Sequence, residues 1–178
     1  MSRKVVIASY NPQWPALYEA EKERILGAIG QVVVAIEHVG STAVPGLGAK
    51  PIIDIMAGVR ELAAAEACIP RLEGIGYEYV PEYEVAMPER RYFRKGVKHG
   101  RTHHLHMVES TSTFWERHLL FRDYLRAHPE TARQYQAEKR RFAKVVDKMD
   151  YTEAKTPFIE DVLAKAYAAR NAELTADS

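Results

Sequence analysis

A Gly-Ser-Thr step at Gly40, Ser41 and Thr42 follows one apolar stretch, and a solitary acid, Asp54, stands inside the next, Ile52-Ile53-Asp54-Ile55-Met56. Gly40 has no Cβ to block approach, so a turn there presents backbone N–H groups to an anion while Ser41 and Thr42 add hydroxyl donors. Phosphate is the natural guest. Lys50, kept extended by Pro51, either reaches back to that phosphate or is solvated at the surface. On a strand, Asp54 shares its face with Ile52 and Met56, and a buried carboxylate there must be paired or bind a metal. The structural alternatives are a helix cap or an ion pair with Lys50 or an arginine. Glu37 and His38 end the preceding strand beside the turn, where they either contact a metal or substrate or are merely solvated.

Two further groups carry chemistry. His104 and His106, two residues apart in Thr102–Glu109, fall on one face of a strand, with His103 and Leu105 on the other. Together with Asp54 they would supply a divalent-metal site of mixed nitrogen and oxygen ligands. Between Arg90 and Arg101 the chain places six Lys or Arg residues and no acid. Alternation there puts Tyr92 and Arg94 on one face and Arg91 and Phe93 on the other. Such a basic hairpin beside a phosphate-type loop favours a small polyanion, the alternative being a solvated hairpin tip.

The elements that must position these groups follow from pattern. Val5 to Ala8 read as a short strand or arm, and Asn11-Pro12 opens a helix that Gly30 stops, with Trp14, Leu17, Tyr18, Ile25 and Ile29 near helical spacing. The β-branched run Val32 to Val39 reads as a central strand buried on both faces. Ala43 to Gly48 make one helical turn, and after Asp54 the chain turns at Gly58. Glu61 to Leu72 then read as an alanine-rich packing helix, kinked at Pro70. Tyr77 to Val80 form a strand, and Pro81 to Pro88 an acidic loop. The remainder is helical. Thr113 and Glu116 make a capping box, one helix ends at His128-Pro129, a second carries Ala132 to Met149, a third carries Phe158 to Tyr167, and the chain frays from Asn171. Arg122, Asp123 and Arg126, with Tyr135, Lys139 and Lys155, either line a base or ribose site or form helix surface.

Composition bounds the reading. A chain of 178 residues with 47% hydrophobic content supports one core without staples, and a net charge of +1 argues against a general nucleic-acid coat. No apolar run approaches the ~18 residues of a membrane span. The single cysteine, Cys68, cannot close an internal disulfide, and the first residues lack a secretory apolar core, so the cytoplasm is expected.

The strings HVGSTAVPGLGAKPIIDI, YNPQWPALYEAEK, RYFRK, HHLHMV and FRDYLRAHPE together resemble the GrpB family, a branch of the nucleotidyltransferase superfamily, over almost the whole chain. The superfamily pattern is an apolar residue, Gly, then Gly or Ser, and an Asp-x-Asp pair one strand later. Here Met56 occupies the second carboxylate position. The resemblance implies an α/β (α+β) fold, a nucleotidyltransferase-like mixed sheet flanked by helices with a C-terminal helical region. It implies one domain over 1–178, its α/β core at about 1–110 and its helical part at about 112–172. It also implies a nucleoside triphosphate, a divalent metal (Mg²⁺ or Mn²⁺, with Zn²⁺ as the alternative) and transfer of a nucleotidyl group to a small acceptor. Asp54 and Glu37 would then be catalytic, Gly40, Ser41, Thr42, Lys50, Arg91 and Arg94 would hold phosphates, and Asp54, His104 and His106 would hold the metal. The competing functions are a non-catalytic nucleotide sensor, which Met56 favours, and an accessory of coenzyme A synthesis. The latter rests on GrpB-like domains fused behind dephospho-coenzyme A kinase domains. No bulk nucleic acid or membrane partner is expected, and a homodimer stays open.

Overall fold

The computed structural model describes residues 6–97, 100–145 and 153–176. Helix α1 (Trp14–Ile29) leads into β1 (Val33–Val39), a 3₁₀ turn at Ser41–Ala43 and β2 (Ile53–Val59). A 3₁₀ segment at Leu62–Cys68, the short α2 (Ile69–Glu73) and β3 (Tyr77–Tyr79) follow. Then come a 3₁₀ turn at Pro81–Glu84, the hairpin β4 (Arg90–Val97) and β5 (Gly100–Glu109), and helices α3 (Thr113–Ala127), α4 (Pro129–Val145) and α5 (Thr156–Ala176). The expected Val5, Lys98 and Met149 contributions lie outside the described residues.

The five strands form a mixed sheet in the order β1-β2-β5-β4-β3. Only β2 and β5 run parallel, and their register sets Asp54 beside His104 and Met56 beside His106. The antiparallel β1–β2 pair sets Val39 beside Asp54 and Glu37 beside Met56. Because the side-chain period of a strand is two, this register gives the sheet one apolar face and one mixed face. Ile53, Ile55, Ala57, Val59, Phe93, Leu105 and Met107 pack against Trp14, Tyr18, Ile25 and Ile29 of α1 and Leu72 of α2. On the other face Val39, Met56 and Val108 lie under Phe114, Trp115 and Leu119 of α3. A third cluster, Val44, Leu47, Leu125, Ala132, Tyr135 and Val162, fastens the loop after β1 to helices α3, α4 and α5.

Several expectations change. The run Val32 to Val39 is an edge strand rather than a central one, and Val34 is exposed; β-branched composition reports a half-buried pleated surface, not a place in the strand order. Gly58 is no turn, because β2 continues through it to Val59. A Cβ at Gly58 would stand 3.0 Å from the Trp115 ring, so the glycine admits close approach of α3. The alanine-rich stretch winds as 3₁₀ helix, and Pro70 sits at the start of α2 instead of kinking a longer helix. The 3₁₀ turn of the loop begins at Ser41, earlier than the turn expected at Ala43. The cap of α3 is Ser112, whose hydroxyl accepts from the Trp115 N–H at 3.2 Å, while Glu116 is taken by Arg170 and Tyr167. Helix α5 runs past Asn171 to Ala176.

Candidate functional site

Gly40 joins the turn to the acid. Its φ of 72° and ψ of −172° lie in a region that is essentially glycine-only. A Cβ there would stand 2.7 Å from Asp54 Oδ2, so glycine is required both by the backbone and by the carboxylate that closes on it.

Asp54 sits where the sheet opens to solvent, its side chain 30% exposed. His104 Nδ1 lies 3.1 Å from Asp54 Oδ1, and His106 Nε2 lies 3.7 Å from the same oxygen. Burial alone would push the Asp54 carboxyl up, but the two imidazoles overcome it and hold the acid well below the carboxylate range. It is an anion at all ordinary pH. Proton positions follow from the partners. Ionised Asp54 only accepts, so His104 Nδ1–H donates to it, and in the neutral ring this tautomer leaves the lone pair on Nε2. Arg90 only donates, and its Nη1 is 3.2 Å from His106 Nδ1, so His106 carries its proton on Nε2, towards Asp54. Burial pushes the His106 imidazole down, with Asp54 opposing.

Beside Asp54 lies a cavity of about 250 Å³ lined by Ser41, Thr42, Lys50, His104, Lys139 and Lys155, among others. Lys139 reaches in from α4. It is 2% exposed and donates to Ser41 Oγ at 2.9 Å and to the Gly48 carbonyl at 2.6 Å. Burial, with the charges of Lys155 and Arg140, pushes its ammonium down to about 7. Burial and Lys50 likewise push Lys155 down to about 8, with Asp54 opposing. An anion in this cavity would relieve the mutual repulsion of the lysines.

The predicted phosphate residues therefore separate. Ser41, Thr42 and Lys50 line the cavity, and Gly40 shapes its edge. Thr42 is engaged elsewhere as well: its hydroxyl meets His38 Nε2 at 2.9 Å, and His38, stacked on Tyr18, is pushed down to about 4 by burial. Arg91 and Arg94 do not reach the cavity. Arg91 faces Glu66 at 3.0 Å and Glu84 at 3.5 Å, and Arg94 forms a two-pronged pair with Glu78 at 2.9 and 2.6 Å. The acids missing from the hairpin's own sequence come from other elements. Glu37 is held by Arg122 at 2.6 Å, in a separate cavity with Arg126 and Tyr18. Arg122 itself is buried, bonding also Asp123 and the His38 carbonyl, so Glu37 anchors α3 rather than assisting Asp54.

The predicted metal ligands do come together, His104 as a hydrogen-bond donor to Asp54 and His106 beside the same oxygen at 3.7 Å. The nitrogens facing the carboxylate are N–H donors, the second carboxylate position is the buried Met56, and lysines crowd the same cavity. Among the described residues no three His, Cys, Asp or Glu side chains are disposed to hold a metal ion. The residues present do not fit a protein-held metal centre of the kind expected.

The mixed five-stranded sheet flanked by helices is the nucleotidyltransferase-like fold expected from the sequence. Cid1, in complex with its short product ApU, shares that fold with a TM-score of 0.51 at 13% identity over 75% of this chain and 42% of Cid1. More specifically, the chain belongs to the GrpB family, whose model, GrpB protein, matches residues 4–165. The crystal structure of the conserved protein GrpB from Enterococcus faecalis superposes with a TM-score of 0.83 at 35% identity, covering 93% of this chain and 99% of that one. A UPF0157 protein of Pseudomonas aeruginosa is 39% identical over 93% of this chain and 69% of its own length. The UPF0157 protein YqkA of Bacillus subtilis is 45% identical over 79% of this chain, which spans only 40% of that protein. A dephospho-CoA kinase of Mycolicibacterium paratuberculosis is 30% identical over 88% of this chain and 44% of the kinase. No helix among the described residues is long and apolar enough to cross a membrane.

Proposed function

We propose that the chain binds a nucleoside triphosphate with its phosphates in the lysine-lined cavity and transfers the nucleotidyl group to a hydroxyl of a small acceptor. The observation that carries this is Lys139, brought from α4 onto Ser41 of the Gly-Ser turn, in a cavity that Asp54 and His104 border. Lys50, Lys139 and Lys155 offset the phosphate charge. His104, held by Asp54 through Nδ1–H, offers Nε2 to take the acceptor's proton. As that O–H bond breaks, the acceptor oxygen bonds the α-phosphorus, the bond from the α-phosphorus to the β-phosphate oxygen breaks, and pyrophosphate leaves.

A second reading, a sensor that binds nucleotide without turnover, is favoured by Met56, which is fully buried where the superfamily pattern has a carboxylate. Titration calorimetry with a non-hydrolysable triphosphate, paired with a pyrophosphate-release assay with and without Mg²⁺ or Mn²⁺, separates the two. Dephospho-coenzyme A belongs in the acceptor panel because a relative bears that kinase's name. Transfer predicts pyrophosphate release that Asp54→Asn abolishes while nucleotide binding persists. Binding with no release in any arm leaves the sensor, and absence of binding removes both.

A further inference from the structure

On the side of Asp54 away from the lysines, Arg90 is a cation with no acid. Its guanidinium carbon lies 4.9 Å from the Tyr92 ring centroid and 5.9 Å from that of Phe114. Nη1 donates to His106 Nδ1, whereas Nε is buried with no partner. Among the described residues no carboxylate lies within ion-pair distance of it, although Arg91, Arg94 and Arg101 of the same hairpin are all paired. A guanidinium keeps its charge even when desolvated, and no carboxylate neutralises this one, so the arrangement favours an anion supplied from outside as its counter-ion.

The neighbouring surface is aromatic. The Tyr92 ring is 5.5 Å from His104 and 5.3 Å from His106, and Tyr83, on the turn after β3, lies 5.3 Å from Tyr92. Tyr83 is 48% exposed, with Met87 of the same loop also open to solvent. Tyr92 thus links Arg90 and an exposed ring directly to the His104 imidazole.

We propose that Arg90, Tyr83 and Tyr92 form a second subsite, which takes a planar acceptor bearing an anionic group, the class to which nucleoside monophosphates belong. The ring stacks on Tyr83 and the anion pairs with the guanidinium charge. This rests on the transfer reading above, for it places an acceptor on the opposite side of Asp54 and His104 from the triphosphate.

The test titrates the full chain with AMP and with adenosine, by calorimetry, before and after saturation with a non-hydrolysable triphosphate. The wild type should bind AMP to the saturated protein, and adenosine far more weakly. Arg90→Gln should weaken AMP about 10- to 100-fold, the range for a lost charge-assisted bond, without changing triphosphate affinity. Tyr83→Ala, at an exposed position, should weaken AMP and adenosine by similar factors, and Arg90→Lys should recover part of the AMP affinity. AMP affinity unchanged in both Arg90→Gln and Tyr83→Ala, or AMP wholly displaced by the triphosphate, would overturn the subsite. If the triphosphate itself fails to bind, the lysine-cavity reading falls. The Arg90 subsite is then judged by the AMP titration alone, and Arg90-independent binding or no binding refutes it.

Discussion

Replacing Lys139 by Met tests the anion cavity through pH as well as affinity. In the free protein Lys139 titrates at about 7 because burial and neighbouring cations disfavour its charge, whereas a phosphate beside it restores the charged form. Below pH 7 the ammonium is already present and affinity for a triphosphate should be flat. Above it each binding event must take up a proton, and affinity falls by up to tenfold per pH unit while the complex keeps Lys139 charged. From pH 7 to pH 9 the protonated fraction drops from about one half to about one hundredth, a loss of roughly 50-fold. Lys155, at about 8, adds a second limb of the same limiting slope that begins about one pH unit higher. Lys139→Met should lose the limb that begins near pH 7 and keep the one that begins near pH 8. Stability of the free protein runs the other way. The folded pKa lies below the unfolded value of 10.5, so the unfolded chain binds more protons between about 7 and 10.5, and Lys139 makes stability rise with pH across that window. The variant should lack this rise, so its melting temperature exceeds that of the wild type most at pH 7 and below. Calorimetric titration of a non-hydrolysable triphosphate at several pH values, with thermal melts of the free proteins, reads both. An identical pH profile of affinity in wild type and Lys139→Met would refute the placement of phosphate beside this lysine.

Two further outcomes follow from the geometry. Gly40→Ala meets both a glycine-only backbone region and a Cβ 2.7 Å from Asp54 Oδ2, so it should destabilise the fold by about 1–3 kcal/mol from the backbone alone. Urea unfolding would show this, and an unchanged midpoint would contradict it. Arg91→Ala and Arg94→Ala, at positions the hairpin sequence assigns to phosphate, should leave triphosphate affinity within twofold, because both side chains are committed to glutamates outside the cavity. A tenfold loss of affinity in either would return the hairpin to the site.

The sequence by itself determined the elements on which the chemistry rests. The Gly-Ser turn needs no partner to be read, since only glycine tolerates the backbone of residue 40, and an acid within Ile52–Met56 marks a buried strand with a polar obligation. The two-residue spacing of His104 and His106 fixes a common face on any strand, and both imidazoles do meet Asp54. Protonation, pairing and edge position were decided by tertiary structure. Parallel pairing of β2 with β5 brings both histidines to Asp54 and makes His104 a donor to it, and an arginine two residues before Tyr92 sets the His106 tautomer. Local charge misleads at Arg91 and Arg94, because Glu66, Glu78 and Glu84 approach from other elements to neutralise them. Lys139 lies 98 residues from the serine it touches, and no periodicity in α4 distinguishes it from a solvated helix lysine. Its burial follows from the packing of α4 over the loop, which removes its ammonium from water, so an anion is the partner that would best restore its charge.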